Sequence, residues 1–284
     1  MGILFVIIVI LIALIALGGW RWRDHQADHK AWASLASHQP CNPAFFDPSL
    51  IEGLPGPAQR FFRSAIQPGT PLYTVAELSM QGEFALGNKT TPGYVAMHAE
   101  QILAAPYGFV WRLKTAKGPI GISGSDAAVN NQSWSRFWLA LLLPVARAGG
   151  NPDHARSAFG RYVAEAVFWS PAALLPSDHV QWEAIDDSKV RVTMEYSDKT
   201  QSVDLAVDPD GKVSEVVFQR WSNANARREF QLQPFGGYLS GYKEFGGYCL
   251  PTKIEAGNFF ATPDYFPFFK ANVMDIRFPA GSTM

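Results

Sequence analysis

The chain divides by its pattern of apolar and polar positions into an apolar head, a first alternating region, a helical middle and a second alternating region. Residues Ile3 to Leu17 (ILFVIIVILIALIAL) are uninterrupted apolar, and Gly18, Gly19 and Trp20 extend the run. From Tyr73 onward the pattern alternates, predicting strands over Tyr73–Leu86, Tyr94–Ala104, Phe109–Thr115 and Ile120–Val129. Turn residues separate them: Gly87-Asn88, Thr91-Pro92-Gly93, Pro106-Tyr107-Gly108 and Gly118-Pro119. Connections this short favour an antiparallel meander, because parallel crossovers need about a dozen residues or more.

From about residue 131 to 176 the spacing turns helical. Trp134, Phe137, Trp138, Leu141, Leu142 and Val145 read as an apolar helix ending near Gly149-Gly150, apolar most of the way round and so buried or facing a hydrophobic groove. A second helix follows, capped by Asn151 or Asp153 with Pro152 in its first turn. Ala155, Phe159, Tyr162, Val163 and Ala166 form its apolar stripe, and Pro171 ends it before Leu174-Leu175-Pro176. Arg161 and Glu165 lie one turn apart on the other face, either as a solvated pair or as a covered pair that shapes a ligand site. Strand patterns then resume over Val190–Tyr196 and Gln201–Val207. After the Asp208-Pro209-Asp210-Gly211 turn they continue over Lys212–Arg220, Glu229–Gln233, Tyr248–Ala256 and Ala271–Phe278.

At about 1.5 Å per residue the run to Trp20 is roughly 27 Å long, enough to span a bilayer core. A cleaved signal peptide is the rival, since Ala16-Leu17-Gly18 resembles a small-residue cleavage site. Against cleavage, Met1-Gly2 carries no Lys or Arg, and Trp20-Arg21-Trp22-Arg23 reads as an interfacial belt. The expected organisation is an anchor over 1–23, a Pro- and Asn-rich juxtamembrane linker over 24–56 and one β-rich domain over 57–284. That domain opens with a short helix, Pro57 to Ile66, turning Phe61, Phe62 and Ile66 inward. Arg21, Arg23 and Lys30 follow the span, which by the positive-inside rule leans the domain to the cytoplasm.

Composition narrows the function. Charged residues are 17% and the net charge is −1, without a basic stripe, which argues against a nucleic-acid partner. Nine Trp and twenty Phe point to a broad apolar interior or groove. Cys41 and Cys249 lack CxxC spacing, so no zinc or dithiol site is expected; they pair as one disulfide or stand as thiols. His25 and His29 have a helical metal-binding spacing but no third ligand follows, and the other histidines are scattered. No phosphate loop, GxSxG or HExxH occurs, so no cofactor, metal or catalytic set is expected. Asp126, Arg161, Glu165, Arg220, Tyr242 and Glu255 are the polar residues set among apolar elements. Asp126 with Glu165 is the pair a carboxylate hydrolase would need.

Three segments carry a resemblance: LPGPAQRFFRSAIQPG (Leu54 to Gly69), GFVWRLK (Gly108 to Lys114) and GRYVAEAVFWSPAALLP (Gly160 to Pro176). With DPDGKV, Arg220 and Gly247-Tyr248-Cys249-Leu250-Pro251 before Glu255, the chain from about residue 50 to 280 resembles a widespread bacterial family known only as a domain of unknown function, whose members have one N-terminal span. A Trp usual near the late glycines is absent; Tyr238 and Tyr242 stand there. No activity comes with that family, so no catalytic residue carries over. The order meander, helices, meander is also similar to the lipoprotein-carrier fold of the bacterial envelope, an incomplete antiparallel barrel plugged by helices that binds acyl chains.

The fold expected is therefore α+β: an N-terminal transmembrane helix, then a curved antiparallel sheet (incomplete barrel) with an inserted helical pair. The function expected is a membrane-anchored binding protein for a lipid or other hydrophobic ligand. In that reading Phe109, Trp111, Trp138, Leu141, Tyr162, Phe168 and Trp169 line the cavity, and Arg161, Glu165 and Arg220 orient a headgroup. An enzyme on a lipid-like or cell-envelope substrate, using Asp126, Glu165 or Glu255, is the alternative, and a structural membrane-complex subunit the third. The carrier analogy places the domain outside the cytoplasm, against the Lys/Arg count, and the side stays open.

Overall fold

The computed structural model describes residues 2–115 and 120–281, so the turn expected at Gly118-Pro119 lies outside the described residues. The first meander is β1 (Ala76–Ala85), β2 (Tyr94–Ala104), β3 (Gly108–Thr115), β4 (Ile122–Val129), β5 (Gln132–Leu139) and β6 (Leu143–Gly149). The second is β7 (Val180–Ala184), β8 (Lys189–Tyr196), β9 (Lys199–Val207), β10 (Val213–Ser222), β11 (Gln231–Ser240), β14 (Lys253–Asn258) and β15 (Phe266–Arg277). A small hairpin of β12 (Lys243–Phe245) and β13 (Tyr248–Leu250) stands apart from it.

The halves become one sheet because the last strand returns to the first. β15 pairs antiparallel with β1, from Glu77 opposite Arg277 to Phe84 opposite Phe269. The resulting order is β6-β5-β4-β3-β2-β1-β15-β14-β11-β10-β9-β8-β7, thirteen antiparallel strands with β6 and β7 as the open edges. The chain between those edges is α3 (Pro152–Trp169), which touches β2 to β6 and also β9 and β10. A flat sheet cannot reach one helix from strands so far apart in its order, so this one curls around α3 as an incomplete barrel.

α3 earns that position by sequence. Asn151 caps it, its Oδ1 accepting the His154 N–H at 2.9 Å, and Pro152 fills the first turn. Phe159, Tyr162, Val163 and Ala166 are buried as the stripe requires, joined by Val167, Phe168 and Trp169. A 3-10 turn over Pro171–Leu174 then closes the segment, with Trp182 Nε1 donating to the Leu174 carbonyl. α2 (Gly56–Ala65) packs Phe61 and Phe62 against that same Trp182.

The inserted element is one helix rather than a pair. Residues 132–149, expected as an apolar helix, form the β5–β6 hairpin. Positions 134, 138 and 142 are spaced by four, which suits one face of a helix and one face of a strand equally. Phe137 beside Trp138 breaks the alternation that would separate the two, and β5 is covered on both sides. Trp134 and Trp138 face outward, whereas Ser133, Ser135 and Phe137 face α3.

What covers the outer side is the first helix. α1 runs unbroken from Gly2 to Ala36, so residues 24–36, expected as linker, are helical and packed. Asp24, Asp28, Ala31 and Leu35 are buried there, and the last two join Val75, Ile102, Val110, Ala127 and Trp134 in a second, smaller core. The carboxylates are tolerated because each is partnered. Asp28 accepts from Ser125 and Trp134, and Asp24 accepts from Trp138 and Arg147. Trp32 donates to Glu77 at 2.7 Å and stacks under Arg112. The segment before this docked part is apolar up to Trp20 and is long enough to cross a membrane.

Candidate functional site

Between α3 and the inner face of the sheet lies a cavity of about 270 Å³. One wall is α3, through Arg161, Ala164, Glu165, Phe168 and Trp169. The first meander supplies Phe84, Trp111, Asp126, Ser135 and Phe137. The second supplies Val216, Phe218, Arg220, Phe235, Leu239, Ile254, Ala256, Phe268 and Phe269. Gly236 and Gly237 complete the wall. A Cβ on Gly237 would lie 2.1 Å from the Glu255 carbonyl oxygen, so the strands meet there at a distance only glycine allows.

One end of this apolar space is charged. Arg161 donates through Nε to Glu165 at 2.7 Å and through Nη1 to Asp126 at 2.5 Å. Its guanidinium lies 4.4 Å from the Phe109 ring centre and 5.5 Å from that of Trp111. Gln101 donates to the other Glu165 oxygen at 2.6 Å, and Ser135 donates to the other Asp126 oxygen at 2.8 Å. Burial disfavours the Arg161 charge, but Glu165 and Asp126 together more than offset it and raise its pKa. The pair read from the i, i+4 spacing is thus covered rather than solvated.

Arg220, across the cavity on β10, is held differently. It lies over the Phe235 ring at 4.8 Å and its Nε reaches Ser157 Oγ at 3.3 Å; no carboxylate among the described residues lies within ion-pair range. Burial first, then the neighbouring Arg161 cation, lowers its pKa to about 10. A polar relay lies beside the cluster: His154 meets Ser133 through Nδ1 at 2.8 Å and Ser135 through Nε2 at 3.2 Å. Burial lowers the His154 pKa, so the ring is neutral at pH 7.

Trp111 and Trp169 are 4% and 1% exposed, and each indole N–H is buried with no acceptor among the described residues. Both side chains belong to the cavity wall. A buried donor left unmade costs roughly 1–3 kcal/mol, so these two N–H groups are an uncompensated cost carried by residues of this wall.

The structure brings together Trp111, Arg161, Glu165, Phe168, Trp169 and Arg220 around the cavity, with Phe109 beneath Arg161. Tyr162 stands aside: its hydroxyl donates to the Pro106 carbonyl at 3.1 Å, and burial raises its pKa. Trp138 and Leu141 are not at the cavity. Trp138 points to the outer face and donates to Asp24, and Leu141 sits exposed in the β5–β6 turn. Both misplacements follow from reading the hairpin as a helix. Gln101, Ser135, His154 and the second-half aromatics Phe218, Phe235, Phe268 and Phe269 were missed. The Val216, Phe218, Arg220 alternation was a usable signal for β10. Glu255 alternates with the cavity-facing Ile254 and Ala256 and so does not gather with Asp126 and Glu165, which both bond Arg161.

Other features of the surface do not compete as a site for apolar ligands. A wider groove of about 1060 Å³ is walled by Asn131, Gln132, Arg136, Arg147, Asn151 and Lys199, a polar lining. Among the described residues no three His, Cys, Asp or Glu side chains gather as metal ligands, and Cys249 is a free thiol.

Residues 44–271 match a family described as "Family of unknown function (DUF6544)". No curated protein matches the chain in sequence. Among solved structures, a LolA superfamily protein from Nitrosomonas europaea is similar at 12% identity, over 78% of this chain and 91% of that one, with a TM-score of 0.39. A putative outer membrane lipoprotein-sorting protein domain from Vibrio parahaemolyticus is similar at 11% identity, over 74% and 87%, with a TM-score of 0.38.

Proposed function

We propose that this chain, which belongs to the family of unknown function DUF6544, is a membrane-anchored protein that binds a hydrophobic molecule inside its curled sheet. The observation that carries the reading is the largely aromatic wall of this cavity, charged at one end, to which Trp111 and Trp169 add indole donors with no acceptor among the described residues. A ligand with an apolar chain or ring and one hydrogen-bond-accepting group would fill the space and accept from those donors. The cavity volume of about 270 Å³ sits near the lower end of small-molecule pockets, roughly 300–1,000 Å³, which favours a single chain over a bulky multi-chain lipid. The Arg161 cluster closes one end with a fixed array of charges, and Arg220 is the cation left to meet a polar head. The apolar stretch of α1 would hold this cavity beside a bilayer, the source of such ligands.

The test is native mass spectrometry of the full chain released from detergent, before and after organic extraction. The reading expects a co-purifying small mass that extraction removes. Ala164→Phe, which fills the cavity from α3, should lower its occupancy at least several-fold. Trp138→Phe, on the outer face, should leave occupancy unchanged. A clean protein mass that takes up neither palmitate nor lysophospholipid on titration would overturn the reading.

A further inference from the structure

Two neighbouring hairpins solve the same turn in opposite ways. Between β4 and β5 the two central residues, Asn130 and Asn131, both have positive φ (49° and 62°), the paired left-handed conformation of a type I′ turn. Asparagine tolerates it. Between β5 and β6 the equivalent residues are Ala140 and Leu141, again both at positive φ (49° and 61°), with the Leu142 N–H closing the turn on the Leu139 carbonyl. Left-handed backbone costs an ordinary L residue roughly 1–2 kcal/mol, and a leucine there is 54% exposed. Leu143 (52%), Val145 (50%) and, in the adjoining β3–β4 connection, Ile120 (71%) are exposed beside it. The Ala140 N–H bonds the Gly121 carbonyl and ties the two tips into one apolar edge.

The docking of α1 shows which way this edge points. Asp28 meets Ser125 and Trp134, Asp24 meets Trp138 and Arg147, and Arg21 meets Ser123. Going toward the N-terminus along α1 therefore means going toward the Leu139 end of β5. Trp20 touches Trp138 edge-on at 5.6 Å and lies under Arg147 at 4.4 Å. The apolar run of α1 ends at Trp20, and Leu141 is three residues further along in the same direction as that run. At about 3.3 Å per residue for the strand, and with the turn crossing to β6 after Leu139, the tip lies at most about 10 Å beyond the Trp20 level, within the depth that interfacial side chains reach.

We infer that the β5–β6 tip, with Leu141, Leu143 and Ile120, inserts into the bilayer that the α1 span occupies, so the domain is fixed to the membrane at two points. This rests on reading α1 as a span. The edge strand β6, which starts at this tip, is then held at the lipid surface rather than tethered loosely above it. The Asn130-Asn131 turn, at the other end of β5, faces water.

The experiment labels single cysteines with an environment-sensitive fluorophore in the full chain (Cys41→Ser, Cys249→Ser background), reconstituted in phosphatidylcholine–phosphatidylglycerol vesicles containing shallow or deep spin-labelled lipid. Leu141→Cys and Ile120→Cys should be blue-shifted and quenched several-fold by the shallow label, with Asn131→Cys unquenched. Val9→Cys tests the span: if it is unquenched, the anchored reading itself falls and the tip insertion with it. If Val9→Cys is quenched by the deep label while Leu141→Cys behaves like Asn131→Cys, the span stands and tip insertion is overturned.

Discussion

Arg147 on the edge strand β6 grips Asp24 of α1 with two teeth, Nη1 to Oδ2 at 2.6 Å and Nη2 to Oδ1 at 3.0 Å. Trp138 donates to the same carboxylate at 3.0 Å, and Arg136 stands 3.6 Å away. One acidic residue just past the apolar run therefore fixes the angle at which the helix leaves the sheet. Three groups depend on it, so its loss leaves two cations and an indole without an acceptor.

Asp24→Asn is accordingly expected to destabilise the fold by about 1–3 kcal/mol, less than a fully buried pair because the arginines remain partly exposed. Thermal melts of the full chain in detergent, followed by Trp fluorescence, would read this. A double-mutant cycle with Arg147→Gln isolates the pair. A coupling below about 0.5 kcal/mol would make it no better than a surface ion pair.

The Arg161 cluster should behave more severely. Arg161→Met removes the cation that bonds both Asp126 and Glu165 and leaves two carboxylates at the cavity without an ion pair among the described residues. Breaking a buried network at one member costs about 3–5 kcal/mol, whereas replacing the whole set by apolar groups of like volume is often close to neutral. Denaturant titration should therefore show Arg161→Met far below wild type and the triple variant Arg161→Met, Glu165→Leu, Asp126→Asn partly recovered. A triple variant no better than the single one would mean that the cluster holds α3 by geometry that apolar contacts cannot replace.

How far the sequence reached can be judged from these same residues. Strands β1 to β4 were readable from their β-branched and aromatic runs between Gly- and Pro-bearing turns, and the stripe of α3 from its helical spacing. The Arg161–Glu165 contact followed from helical spacing. Asp126 and Gln101, which complete the cluster, come from β4 and β2, and nothing in the local pattern links them to α3. Where the reading failed, at β5, Trp134 and Trp138 recur at a spacing of four that suits a helix face and a strand face alike, and Phe137 beside Trp138 breaks the simple alternation. The apolar tip at Leu139–Val145 deepened the error, because a run of leucines in a turn contradicts ordinary turn chemistry. The docked half of α1 was hidden for another reason. Asp24 and Asp28 fall in the stretch expected as linker, and their partners lie more than ninety residues away in the sequence.

The indole donors give a third expectation, with opposite signs for stability and binding. Trp169→Phe keeps a ring in the wall and deletes an unpartnered N–H. In ligand-free protein the loss of ring volume is offset by removal of a buried, unmade donor, so the melt should move by about 1 kcal/mol or less. Ligand affinity should fall about five- to tenfold, the worth of one neutral hydrogen bond. Fluorescent fatty-acid displacement on wild type and variant would measure it. Equal affinities would show that the donor at Trp169 meets no ligand acceptor.

His154 supplies the pH dependence. Burial disfavours its imidazolium; Asp126 works the other way and Arg220 with the burial, and the folded-state pKa is lowered from 6.5. Between that lowered value and 6.5 the unfolded chain binds a proton that the folded chain does not. Unfolding therefore takes up protons in this window, and stability rises with pH there. The contribution is complete above about pH 6.5 and is lost as pH falls through the folded value. Its neighbours Ser133 and Ser135 stay uncharged throughout, and Asp126 is held by Arg161 in both wild type and variant. His154→Gln can keep hydrogen bonds to the two serines but cannot titrate, so its loss of stability between pH 7.5 and pH 5.5 should be smaller than that of wild type. Parallel curves for the two proteins across that interval would mean that the imidazole is as free to charge in the fold as in water, and that the Ser133–His154–Ser135 relay opens before the chain unfolds.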